Sequence, residues 1–246
     1  MKRTLLGTSL WIDQTPNQAF NLDTLLLADF IQVPYRFKQI ADFGTGAGAL
    51  MLSLSQKTKA KIIGLEIQSE RYEKALENIR LNQLENQLKV IHQDVKHHTL
   101  LNLDMVVGNP PFFKVTQKGH LNQDWDETIA RHEVLLDLPT FIHAAKRALK
   151  YGGHLYFIHR PDRLGEIVET LNRYQFQVKR IRFVHPYGNK PANHVLIFAI
   201  KDAQPGVIID PPFILYEKPH VLSQEMEEVY GGRSYVVKPV ESKRKT

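Results

Sequence analysis

The strongest constraint on this chain is an alternation, between residues 39 and 159, of short apolar runs with segments of helical period. Apolar runs at 39–43, 61–66, 89–92, 104–107 and 154–159 are separated by helical patterns at about 47–57, 69–83 and 133–149. Strands that alternate with helices predict a parallel sheet covered on both faces. The clearest helix is 69–83, where Tyr72, Ala75, Leu76 and Ile79 form one stripe and Glu70 and Lys74 stand four residues apart. A further helix at about 163–173 precedes strands at 177–184 and 194–200. Nine residues join these two strands, too few for a helical crossover, so they are expected to pair antiparallel. The predicted architecture is a doubly wound, mostly parallel α/β sheet of seven strands with an antiparallel C-terminal hairpin.

Ahead of this unit, Asn21-Leu22-Asp23-Thr24 leads into Leu25, Leu26 and Leu27 and reads as a capped helix ended by Pro34. We therefore expect one unit over 1–201, with a preamble and helix at 1–37. Residues 202–246, with prolines at 205, 211, 212, 219 and 239, read as an irregular extension, partly extended at 212–216 and closing on Lys243-Arg244-Lys245.

Composition narrows the function classes. The chain has no cysteine, which excludes disulfides, thiolate metal sites and a catalytic thiol. The eleven histidines show no ligand spacing, so no metal is expected. The longest apolar run, 195–200, is strand-sized, and Asp13 and Gln14 cut short the apolar stretch of the N-terminus. No membrane association and a cytoplasmic location are expected. The net charge is +6, and ten Lys/Arg against three acids lie between 144 and 190. That stretch reads either as a solvated basic face or as a surface that tracks a phosphate backbone.

Four motifs carry chemistry. Asp42-Phe43-Gly44-Thr45-Gly46-Ala47-Gly48 ends the first strand of the alternation and opens a helix, where glycines let backbone approach a ligand. Gly44, Gly46 and Ala49 also satisfy a dinucleotide-binding pattern, so the loop alone does not choose its ligand. Glu66 ends the next strand, placed to accept from both hydroxyls of a ribose. Asp94 follows the third, placed to accept from an adenine amino group. Asn109-Pro110-Pro111-Phe112 follows the fourth. Its prolines block continuation of a sheet and present carbonyl acceptors. The Asn109 side-chain oxygen and the Pro110 carbonyl suit a planar amino group with two hydrogens, and Phe112 offers a flat apolar face. The connection 113–132, with Lys114, Lys118, Trp125 and Arg131, reads as a lid or RNA-contacting loop.

With these motifs in this order, the chain resembles class I S-adenosylmethionine-dependent methyltransferases that carry an Asn-Pro-Pro-aromatic motif. More narrowly, it resembles the bacterial tRNA(Val) adenine-N6 group of the "methyltransferase small" type. The narrower likeness rests on 21–27, Ala130-Arg131-His132-Glu133, Phe157-Ile158-His159-Arg160-Pro161 and Val184-His185-Pro186. Phe112 stands where many relatives carry Tyr. The resemblance implies a Rossmann-like methyltransferase sheet and S-adenosyl-L-methionine as cofactor, held by Asp42, Gly44, Gly46, Gly48, Glu66 and Asp94. It also implies Asn109, Pro110 and Phe112 as catalytic residues and RNA, specifically tRNA, as partner. Methylation of rRNA guanine N2 or protein glutamine N5 is the alternative within the same chemistry. A nicotinamide-dependent oxidoreductase and a non-catalytic RNA-binding module are the alternatives outside it.

Overall fold

The computed structural model describes residues 2–14, 22–110 and 136–231. Pro111, Phe112, the 113–132 connection, Asn21 and the basic tail at 243–245 lie outside the described residues.

The chain opens with an antiparallel pair, β1 (Lys2–Thr4) and β2 (Trp11–Asp13), followed by α1 (Leu22–Phe30). The alternation then runs β3 (Gln39–Phe43), α2 (Ala49–Ser55), β4 (Lys61–Glu66), α3 (Ser69–Leu81), β5 (Leu88–His92), β6 (Leu103–Gly108), α4 (Leu138–Ala148), β7 (Leu149–His159) and α5 (Leu164–Arg173). It closes with β8 (Phe176–His185) and β9 (His194–Lys201). The sheet order β8-β9-β7-β6-β3-β4-β5 is parallel throughout except at β9, which runs antiparallel to both neighbours. All seven expected strands are present, and the short connection between the last two produces the antiparallel hairpin.

Two apolar layers cover the sheet. On one face, Leu26 and Leu27 of α1 and Met51, Leu52 and Leu54 of α2 are buried with Ile40, Ile62 and Met105. On the other, Phe141, Ile142 and Ala145 of α4 and Ile167 and Leu171 of α5 close over Phe43, Val106, Phe157 and Ile197. Local signals set the helix starts. Asp137 accepts from the Thr140 amide at 2.8 Å ahead of Pro139, which supplies a fixed φ and no surplus donor. At the opposite end of the sheet, Asp104 accepts from the amides of Lys38 and Gln39 at 2.7 and 3.0 Å and from Lys150, joining the starts of β3, β6 and β7. Its carboxyl lies below the usual range despite burial, because these donors outweigh desolvation.

Two differences from the sequence reading stand out. β7 begins at Leu149, directly after α4, and residues 150–153 form an irregularity in its pairing with β6, where Leu103 faces Leu149 and Met105 faces His154. The extension is more regular than its prolines suggest. Two short strands, β10 (Ile208–Ile209) and β11 (Phe213–Ile214), pair parallel with β8 and raise the sheet to nine strands. A hairpin of β12 (Tyr216–Lys218) and β13 (Val221–Leu222) and a helix α6 (Gln224–Gly231) follow. Met226 and Val229 of α6 are buried in the same layer as α1. The Gly7 amide donates to the Tyr230 carbonyl at 3.0 Å, and a Cβ at Gly7 would stand 2.9 Å from the Val229 carbonyl oxygen. Together with its φ of +73°, this makes glycine the residue the contact requires.

Two arginines of the basic stretch fasten this extension. Arg180 pairs with Asp210 at 2.8 Å and lies over the Phe30 ring at 4.1 Å. Arg182 reaches both carboxylate oxygens of Glu225 at 2.8 and 2.9 Å, donates to the Pro211 carbonyl and covers Phe213. Both side chains are under one-fifth exposed. Arg182 is therefore a fastening and not a free phosphate contact. Arg182→Met is expected to lower stability by roughly 1–2 kcal/mol, the scale of a partly exposed charged hydrogen-bond set lost together with its ring contact. Urea unfolding checks the loss, and limited proteolysis should show earlier cleavage within 202–231.

Candidate functional site

The sheet topology places the site. The chain winds outward from β3 through β4 to β5, then returns to β6 on the other side of β3 and winds the opposite way. Phe43 of β3 stands opposite Gly108 of β6, so the loops that follow both strands begin side by side at the switch point. Gly44, Glu66, Gln93, Asp94, Asn109 and Pro110 line one cleft there, with Leu65, Ile67, Val95 and Leu136 as its apolar walls. The structure thus brings together four separate motifs that the sequence reading singled out.

Backbone geometry explains the glycines of the loop. Gly44, Gly46 and Gly48 have φ of +75°, +57° and +85°, a region that side chains resist. The amides of Gly44 and Thr45 both donate to the Leu65 carbonyl, at 2.9 and 3.0 Å, which ties the loop to the end of β4. Glu66 completes the tie. One of its carboxylate oxygens accepts from the Gly46 amide at 2.8 Å and the other from the Gln68 amide at 2.9 Å. Each oxygen has two lone pairs, so each keeps one acceptor position for a hydroxyl pair.

Asp94 caps the turn at 95–97 through one oxygen, which accepts from the Lys96 amide at 2.8 Å, and its other oxygen makes none of the described hydrogen bonds. Asp42 lies beneath the glycine loop instead of in the cleft. It is 1% exposed and accepts from the Thr45 hydroxyl at 2.6 Å. Burial, with the Glu66 carboxylate nearby, pushes its carboxyl up to about 7 against the pull of the Thr45 hydroxyl. Gly44 forms part of the cleft wall, and Gly46 and Gly48 are not among its lining residues.

Three contributors escaped the sequence reading. Asn78, fully buried on α3, donates to the carbonyls of Ala47 and Asp13, both at 3.0 Å, and accepts from the Asp13 amide at 2.7 Å. It bridges the glycine loop to β2. Asn82, one turn later, does the same for Trp11. Arg71 lines the cleft, and its Nε is buried with no hydrogen-bond partner among the described residues. No sequence signal marks the first of these, because the helical period does not separate a buried Asn from one facing solvent.

The donor set fits a nucleoside cofactor. Glu66 offers paired acceptors for a ribose, Asp94 one acceptor for an amino group, Ile67 and Val95 apolar faces, and Arg71 an unmet donor. Among the described residues no group of three or more His, Asp or Glu side chains is placed to hold a metal ion. No described helix is long and apolar enough to cross a membrane.

The Asp42 carboxyl sets a pH dependence. Folding takes up a proton between the unfolded value of 3.8 and the folded value of about 7, so stability falls as pH rises through that window and levels above it. Relative to wild type, Asp42→Asn should gain as pH rises from 4 to 7, by at most about 4 kcal/mol. Thermal melts across pH 4–8 read this directly. Parallel profiles for the two proteins would remove the assignment.

Comparison with known proteins agrees with the geometry. The Methyltransferase small domain family matches residues 17–179. A tRNA1(Val) (adenine(37)-N6)-methyltransferase of Phocaeicola vulgatus is 29% identical over 189 residues, covering 76% of this chain and 79% of the relative. A protein of the same name from Haemophilus influenzae is 27% identical over 200 residues, covering 79% and 82%. Among solved structures, a predicted O-methyltransferase of Agrobacterium tumefaciens superposes with a TM-score of 0.67 at 23% identity, covering 89% of this chain and all of that one. A Thermus thermophilus 16S rRNA N2-guanine methyltransferase, solved with AdoMet and guanosine, gives 0.56 at 22% identity, covering 82% and 50%. With its switch-point cleft and a family match across most of the sheet, the chain belongs to the methyltransferase small domain family of S-adenosylmethionine-dependent methyltransferases.

Proposed function

We propose that this enzyme transfers a methyl group to the exocyclic N6 of an adenosine in tRNA. The observation that carries the reading is the opening of Asn109 and Pro110 into the same cleft as Glu66 and Asp94. Relatives that this chain matches over three quarters of its length are named for this reaction at adenine 37 of a valine tRNA. Such a substrate puts the enzyme with the translation machinery in the cytoplasm.

Glu66 would hold the ribose hydroxyls and Asp94 the amino group of the cofactor's base, with Gly44 and Ile67 as walls. S-adenosylmethionine, when bound, supplies an activated methyl electrophile. The protein's remaining task is placement of the attacking nitrogen. In the reading proposed, the Asn109 side-chain oxygen and the Pro110 carbonyl accept the two hydrogens of the adenine amino group. Those bonds favour a tetrahedral nitrogen and strengthen as positive charge develops on it. The methylated nitrogen is acidic enough to release its proton to water, so no strong base is required. An adenine in a tRNA loop must leave its stack to reach Asn109, and Phe112, outside the described residues, is assigned the replacement stacking. A nicotinamide enzyme would use the glycine loop and Glu66 but leaves Asn109 and Pro110 without a task.

Asn109→Ala should lower the methylation rate about 10²-fold or more while leaving S-adenosylmethionine affinity nearly intact. Glu66→Ala should weaken that affinity at least about tenfold, from the loss of charged hydrogen bonds. Calorimetry and single-turnover rates separate the two effects. Mass spectrometry of tRNA nucleosides after incubation with the purified enzyme tests the substrate. N6-methyladenosine is the expected product, and N2-methylguanosine or a methylated protein glutamine would replace the assignment.

A further inference from the structure

Two motifs of the sequence have no task in the cleft: Phe157-Ile158-His159-Arg160-Pro161 and Val184-His185-Pro186. They end β7 and β8, and the start of β9 stands between them. The register levels them with the site. Gly108 stands opposite Phe157, His159 opposite Val195, and Val184 opposite His194. Three strand spacings separate Asn109 from the loop after β8, roughly 14 Å across the carboxyl edge of the sheet. The cofactor cleft lies on the β4 and β5 side of Asn109, and this edge lies on the other side.

The β8–β9 loop is built to stand up from that edge. The Lys190 amide donates to the Tyr187 carbonyl at 3.0 Å, closing the turn Tyr187-Gly188-Asn189-Lys190. His185 Nδ1 lies 2.7 Å from the Lys190 carbonyl oxygen, and the Asn193 amide donates to the Val184 carbonyl at 2.9 Å. The amides of Leu215 and Tyr216 donate to the carbonyls of His185 and Pro186, which sets the Tyr216 ring 5.7 Å from that of Tyr187. Gly188, Asn189 and Lys190 are exposed, and Lys190 has no side-chain partner among the described residues. Arg160, nearer the site, is 45% exposed and only loosely paired with Asp162 at 3.3 Å. Of the other eight cations of the stretch, Lys150, Arg163, Arg173, Arg180 and Arg182 have carboxylate partners, and Lys146, Arg147 and Lys179 donate to amide or carbonyl oxygens.

We infer that the carboxyl edge from Arg160 to the Tyr187–Lys190 turn is the docking surface for the single-stranded RNA that flanks the target nucleotide. The inference rests on the RNA reading above and assigns a place for that partner. Tyr187, backed by Tyr216, is the platform on which a flanking base stacks, and Lys190 and Arg160 contact phosphates to either side. Tyrosine rings beside cations on one edge suit unstacked loop nucleotides, whose bases present faces that a duplex conceals.

The test uses full-length enzyme with S-adenosylhomocysteine bound. The dissociation constant for bulk tRNA is measured against salt for wild type, Tyr187→Ala, Tyr187→Trp and Lys190→Gln. Tyr187→Ala should weaken tRNA binding about tenfold, the scale for one lost stacked base, and Tyr187→Trp should restore it. Lys190→Gln should reduce the log–log salt slope by about 0.7, one single-strand phosphate. Cofactor affinity should not move in any variant, and Tyr187→Trp and Lys190→Gln should keep the wild-type melting temperature. Wild-type tRNA affinity retained in both Tyr187→Ala and Lys190→Gln would overturn the surface and leave the RNA reading standing. Wild-type enzyme that neither binds nor methylates tRNA would overturn both.

Discussion

One carboxylate holds the site together. Glu66 accepts one backbone amide from the glycine loop and one from the start of α3, and it still has acceptor capacity facing the cleft. The loop's left-handed glycines leave its amides pointing where ordinary turns would not, and a buried amide without an acceptor is expensive. The carboxylate oxygens at the end of β4 meet that need and tie the loop to the start of α3. Asp42, buried beneath the loop, cannot share this role. In the same low-dielectric pocket a second charge is disfavoured, and its carboxyl is held protonated into the neutral range. The adjacent acids thus divide into one that lines the cleft and one, buried, that supports the loop from below.

Much of this was legible in the sequence because it is local. Five parallel strands announced themselves as apolar runs, and Glu66, Asp94 and Asn109 are strand-end residues whose position follows once the strands are found. Asn78 was not legible. Its partners Asp13 and Ala47 lie 65 and 31 residues away, and nothing in the helical period distinguishes a buried Asn with a task from one facing solvent. The short strands β10 and β11 were equally hidden, since two residues beside prolines have no periodicity to read. The inner position of Asp42 was missed for a different reason. The motif shows that an acid precedes the glycines, but only the packed loop shows which way its side chain turns.

The basic stretch teaches a related point about charge. Counted along the chain, residues 144–190 read as a polycation. In the folded molecule most of that charge is spent on internal pairs, on helix faces or on the extension, some of it covering Phe30 and Phe213. Half of the ten cations, Lys146, Arg147, Arg160, Lys179 and Lys190, have no carboxylate partner among the described residues or only a long, exposed one. An electrostatic footprint estimated from composition overstates the surface by the number of cations that are structural.

The hydrogen bond from Gly7 to Tyr230 joins the first described hairpin to the last described helix. During synthesis the N-terminal residues leave the ribosome more than two hundred residues before the helix that covers them. Until then Leu25 and its neighbours on α1 have an unfinished seam, and the glycine loop, reached from β2 through Asn78, is braced by a hairpin that is itself uncapped. The brace on the glycine loop is therefore finished only when α6 has been made and packed. A product that stopped before α6 would carry every described residue of the cleft without the seam over α1.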